Sequence, residues 1–103
     1  MEAILQGKTT IIASDGTETS QEHSEMLTLD FIQAAVGGYI ELVPMFTTFH
    51  GEPCVAWCNE MGKINDLPLN RKATELWAEQ GGTFDYLLGP ILIVTGDEAF
   101  RQS

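Results

Sequence analysis

The chain has 103 residues, 44% of them hydrophobic, which is enough apolar material for one core and too short a length for two. Fifteen acids stand against five bases, a formal net charge of -10. Such a surface repels phosphate backbones and anionic lipid headgroups, so neither direct nucleic-acid binding nor a membrane surface is expected. The acids are spread along the chain rather than gathered in a tail, which reads first as a solvated face that favours solubility. A face that imitates DNA is the sharper and rarer reading.

The opening MEAILQGKTT has an acid at position 2 and polar residues where an apolar run would be needed, so it is not expected to act as a secretory signal. Apolar runs such as Ile91 to Val94 fall far short of the roughly 20 residues that span a bilayer. A soluble, intracellular protein is expected.

In chain order, a short strand is expected at residues 2–5, before a turn at Gly7. KTTIIAS is rich in β-formers, and Asp15-Gly16 after it signals a hairpin leading into TETSQ. The polar stretch Ser20 to Glu25 reads as a loop. A helix then starts at Thr28, whose hydroxyl can cap it. Asp30 sits favourably in the first turn, Leu27 and Ile32 are spaced as a hydrophobic staple, and Gly37 ends the helix. Its core face is Phe31, Ile32, Ala35 and Val36.

GYIELVPMF alternates Ile40 and Leu42 on one side with Tyr39, Glu41 and Val43 on the other, and PCVAWCNE returns after the turn-rich TTFHGEP. Pro44 cannot donate to a ladder, so an edge or bulge is expected there. Cys54 and Cys58, four apart on a strand, lie roughly 13 Å from each other. Disulfide partners need Cα atoms within about 7 Å, so these thiols are expected reduced. With His23 or His50 they match no zinc pattern, and no metal is expected. A second helix runs from about Arg71 to Gln80, capped by Asn70, carrying Ala73, Leu76 and Trp77 inward and stopped by Gly81-Gly82. PILIVTG, nearly all apolar, reads as a central strand. Trp57 and Trp77 read as core. These elements predict an α+β domain, a small mainly antiparallel sheet with two short helices.

Three of the five bases, Lys63, Arg71 and Lys72, fall within ten residues, and two of them occupy the first turn of a helix, where free N–H groups already make the potential positive. Each cation there costs a few tenths of a kcal/mol, on a scale of about 0.3 to 1 kcal/mol, unless something negative is near. One explanation is internal: Arg71 reaches Glu75 at i+4, and Asp66, Glu60 or Glu41 folds in beside Lys72. The other is an anion site in which Lys63, Asn70, Arg71 and Lys72 receive a phosphate or carboxylate. Asn59 and Glu60, with Glu41, are candidates for organising the following loop or contacting a ligand. Glu41 and Glu60 carry no sign of an acid-base pair, and no catalytic residue or cofactor is expected.

GGYIELVPM, AWCNEMGKINDLPLN and LLGPILIVTG, in that order behind a short strand and helix, resemble the family catalogued as domain of unknown function 3846. The pattern is a G-G-Y-I-E strand, a strand ending in N-E-x-G-K, a stretch to L-P-x-N, and a G-x-x-x-V-x-G strand. Gly37, Gly38, Tyr39, Ile40 and Glu41, then Asn59, Glu60, Gly62 and Lys63, then Leu67, Pro68 and Asn70 stand as that pattern has them, over roughly residues 28–96. Asp66 and the polar lead-in at Glu18 to Glu25 depart from it. Within a single domain over 1–103, residues 1–27 thus form N-terminal strands and a polar loop, 28–96 the family-like core and 97–103 a tail.

The resemblance implies a gene of phages, plasmids and some bacteria, acting in the host bacterial cytoplasm, with no established activity. The expectation is a non-catalytic accessory protein that binds and modulates a host protein. Binding or sequestering a small nucleotide-like anion is the alternative, with DNA mimicry third. An open edge strand is also compatible with a homodimer.

Overall fold

The computed structural model describes residues 5–82 and 85–102. Six strands and three helices follow in the order β1 Gly7–Ile12, β2 Glu18–His23, α1 Leu29–Val36, β3 Ile40–Leu42, β4 Thr48–Phe49, β5 Glu52–Asn59, α2 Arg71–Glu79, β6 Ile91–Gly96 and α3 Glu98–Arg101. The sheet runs β2-β1-β6-β5-β3, with β4 pairing β5 off that path, and every pairing is antiparallel. The domain is α+β, as the elements predict. Of the strand expected at residues 2–5, positions 2–4 lie outside the described residues.

β6 holds the centre because its side chains are apolar on both faces. Ile91 and Ile93 enter one cluster with Ile12, Ala56, Phe46, Ala73 and Trp77; Leu92 and Val94 enter another with Leu27, Ile32, Val36 and Phe100. Residues 91 to 95 are all buried, as expected of a strand covered on both sides. α1 and α3 cover the second face, and α2 with the loops after β3 covers the first.

The helix punctuation matches the sequence reading. Thr28 accepts a hydrogen bond from the Phe31 amide at 3.1 Å, Leu27 and Ile32 are buried in one cluster, and Gly37 takes the left-handed conformation at φ 82°. Ile32 and Val36 of the expected core face are buried, while Phe31 and Ala35 are half-buried beside them. Asn70 caps α2 through the Ala73 amide at 3.1 Å. At Asp15-Gly16, the Asp15 carboxylate accepts from the Thr17 amide at 2.9 Å, which lowers its pKa.

Two expectations are corrected. Ser20 to His23 are not loop but the last four residues of β2, paired with Gly7 to Thr10 of β1. β2 has no buried residue along its length, so apolar alternation could not reveal it; the hairpin supplies its backbone bonds. Two helices are expected and a third is present in the tail: Glu98–Arg101 form α3, and Phe100 on it is fully buried. Gly7 has no side chain because the Phe100 ring occupies the space a Cβ would need.

Candidate functional site

At the β3 end of the sheet, on the α2 face, lies a cleft of about 340 Å³. Four separated segments build it: Glu41 to Pro44 of β3 and its exit, Cys58 to Ile64, Trp77 of α2, and Asp85 to Leu88 before β6. Asn59 shapes the wall. Buried at the end of β5, its amide Nδ2 donates to the Val36 carbonyl at 3.1 Å and its Oδ1 accepts from the Met61 amide at 2.8 Å. The chain then turns through Gly62 N–H to Asn59 C=O, Asn65 N–H to Met61 C=O and Leu67 N–H to Gly62 C=O. Asp66, where the sequence departs from the family pattern, takes a left-handed conformation at φ 53°, one that Asp tolerates better than most residues. On the opposite wall the Trp77 indole N–H donates to the Pro44 carbonyl at 2.6 Å, fixing the exit of β3 over α2.

The lining is acidic. Glu41, Glu60 and Asp85 face one base, Lys63. The Lys63 ammonium donates to Asp85 at 2.7 Å and lies 4.9 Å from the centre of the Tyr86 ring. This contact raises the Lys63 pKa and lowers that of Asp85, which the Tyr86 amide also bonds. Glu41 and Glu60 form no ion pair among the described residues. Cys58 lines the same cleft; burial, then the charges of Glu41 and Asp85, push its thiol up to about 11, so it is not a nucleophilic thiolate.

Exposed apolar side chains cluster at the mouth. Ile64 is 76% exposed and Tyr86 50%, and both line the cleft; Tyr39, beside β3, is 69% exposed. β3 is a terminal strand of the sheet. The Tyr39 carbonyl accepts from the Glu60 amide and the Val43 amide donates to the Ala56 carbonyl, so residues 39, 41 and 43 face β5. By the alternation of an antiparallel ladder, Ile40 and Leu42 turn their N–H and C=O groups to the open edge.

Of the residues singled out from the sequence, Glu41, Asn59, Glu60 and Lys63 meet in this cleft, while Asn70, Arg71 and Lys72 do not line it. Asn70 is fully buried, with its Nδ2 divided between the carbonyls of Ile12 at 2.8 Å and Gly89 at 2.9 Å. Its amide is saturated within the fold. Lys72 pairs with Glu18 of β2, not with Asp66, Glu60 or Glu41, and Glu18 also meets His50 at 3.1 Å. Arg71 is exposed, and the expected pair with Glu75 is not formed. The cations at the α2 N-terminus are therefore answered in part from Glu18, in the arm that the Asp15-Gly16 hairpin leads into. Tyr86 and Asp85 escaped notice because nothing in LLGPILIVTG or its lead-in marks them before the fold brings them to Lys63.

Among the described residues, no three His, Cys, Asp or Glu side chains gather in a way that could hold a metal ion. Both thiols are free, and Cys54 is buried. No helix among the described residues is long and apolar enough to cross a membrane.

The family model described as domain of unknown function (DUF3846) matches residues 8–102. The chain belongs to the DUF3846 family. The match is wider than the 28–96 segment that carries the resemblance, taking in the β1-β2 hairpin and α3. No curated protein and no solved structure matches the chain.

Proposed function

We propose that this DUF3846 chain is a non-catalytic binding protein whose working face is the open β3 edge together with the acidic cleft beside it. In this reading it serves a phage or other mobile element in the bacterial cytoplasm by engaging and modulating a host protein. The observation that carries it is the coincidence of exposed Tyr39, Ile64 and Tyr86 with an unpaired strand edge. Exposed apolar side chains gathered at one place mark interaction surfaces, and strand edges offer backbone bonds to a partner. Capture of a nucleotide-like anion is the weaker reading, because carboxylates outnumber the single lysine in the cleft and that lysine is paired.

The test is a photoreactive benzoylphenylalanine placed singly at Ile64 or Tyr86, with Gln21 on the opposite sheet edge as control, in bacterial cells. The expected result is a discrete protein adduct from positions 64 and 86, absent from 21 and suppressed by excess unlabelled protein. Equal labelling from all three positions, or none that excess protein suppresses, would remove the assignment.

A further inference from the structure

The cleft and the edge also define what kind of segment the partner presents, an inference that rests on the binding reading above. An added strand places its residues opposite those of β3, and opposed residues share a face of the sheet. Glu41 pairs with Cys58 and faces the cleft, whereas Leu42 pairs with Trp57 and belongs to the α1 face, where it is half exposed. A residue of the added strand opposite Glu41 therefore enters the cleft, and its two neighbours land beside Ile40 and Leu42.

The cleft already holds one lysine ammonium. Lys63 sits against Asp85 and the Tyr86 ring, which shows that this carboxylate and aromatic corner accepts a primary ammonium. Glu41 and Glu60 stay without a cation among the described residues. A second copy of this chain fits poorly, because edge-to-edge pairing about Glu41 sets two like carboxylates together on chains of net charge -10 each.

We propose that β3 receives an extended peptide segment of the partner with the alternation apolar, Lys or Arg, apolar, the cation seated between Glu41 and Glu60 and the flanking side chains covering Ile40 and Leu42.

The experiment selects binders from a displayed library of random heptapeptides on the immobilised full chain, then measures the affinity of the enriched peptide by fluorescence anisotropy. Enrichment of a lysine or arginine between two apolar residues is expected. Its affinity should fall at least tenfold in the double variant Glu41→Gln, Glu60→Gln. A similar loss is expected in Leu42→Pro, which removes an open-edge N–H without breaking a bond to β5. The carboxylate variants alter only exposed side chains and keep the test valid where the proline variant fails to fold. Enrichment of acidic or uncharged peptides, no enrichment, affinity unchanged in the carboxylate variants, or a dimer of this chain occupying the edge would each overturn the proposal. Specific adducts from position 64 together with cation-free peptides would sink this inference and leave the binding reading standing; failure of both would remove the two together.

Discussion

Asn70 joins three parts of the fold through one side chain: its Oδ1 accepts from the Ala73 amide, and its Nδ2 donates to the Ile12 carbonyl, 58 positions earlier, and to Gly89. Replacing it with alanine removes a helix cap, worth about 1 kcal/mol, and leaves two buried carbonyls without this donor at about 1 to 3 kcal/mol. The predicted loss for Asn70→Ala is about 3 kcal/mol in urea denaturation. Asn70→Asp keeps the cap but sets a carboxylate oxygen against both carbonyls, and is predicted to be no better. A loss under about 1 kcal/mol for the alanine variant would contradict this role.

Phe100 should matter as much as any residue of the central strand. It is fully buried against Gly7 in the cluster of Ile32 and Leu92, so Phe100→Ala is predicted to cost about 3 to 5 kcal/mol. Thermal unfolding that leaves the midpoint within a degree or two of the parent would show that α3 is dispensable.

Glu18 carries a pH dependence. Its pairing with Lys72, and then with His50, lowers its pKa below the ordinary 4.5. A carboxylate depressed in the folded state contributes stability above its unfolded value and loses it as pH falls through the folded one. Wild type should therefore exceed Glu18→Gln by up to about 1 kcal/mol near neutral pH, with the gap closing below about pH 4. A gap that is the same at both pH values would exclude the ion pair as its cause.

The two thiols should be slow. Burial pushes Cys54 and Cys58 from 9.0 to about 11, which leaves roughly a hundredfold less thiolate at pH 8 than an unshifted thiol. Labelling by iodoacetamide should be slower by at least that factor in the folded protein, and both should react readily in denaturant. Rapid labelling of the folded chain would mean that β5 opens.

Much of this fold was legible from local rules, because Thr28, Gly37, Asp15-Gly16 and Asn70 state element boundaries within a few residues of where they act. PILIVTG gave its central place by being apolar on both faces. The far part of β2, from Ser20 on, and α3 were hidden for opposite reasons. β2 is polar on both faces and exists because β1 supplies its bonds; α3 is four residues long and buries one large side chain, Phe100. The candidate site was half legible: Glu41, Asn59, Glu60 and Lys63 stand in the family pattern, but their joining with Asp85 and Tyr86 depends on tertiary packing. Crowding of Lys63, Arg71 and Lys72 in sequence suggested one anion cradle, whereas the fold sends Lys63 to Asp85 and Lys72 to Glu18.

The most direct measurement of the binding face is residue-resolved amide hydrogen exchange on the free chain and on the complex with its crosslinked partner. Glu41 pairs with Cys58 of β5, so its amide should be protected in both states, whereas Ile40 and Leu42 should exchange fast when free and slow at least tenfold in the complex. Protection that appears instead along Glu18–His23, with Ile40 and Leu42 unchanged, would place the partner on the other edge of the sheet and contradict the account.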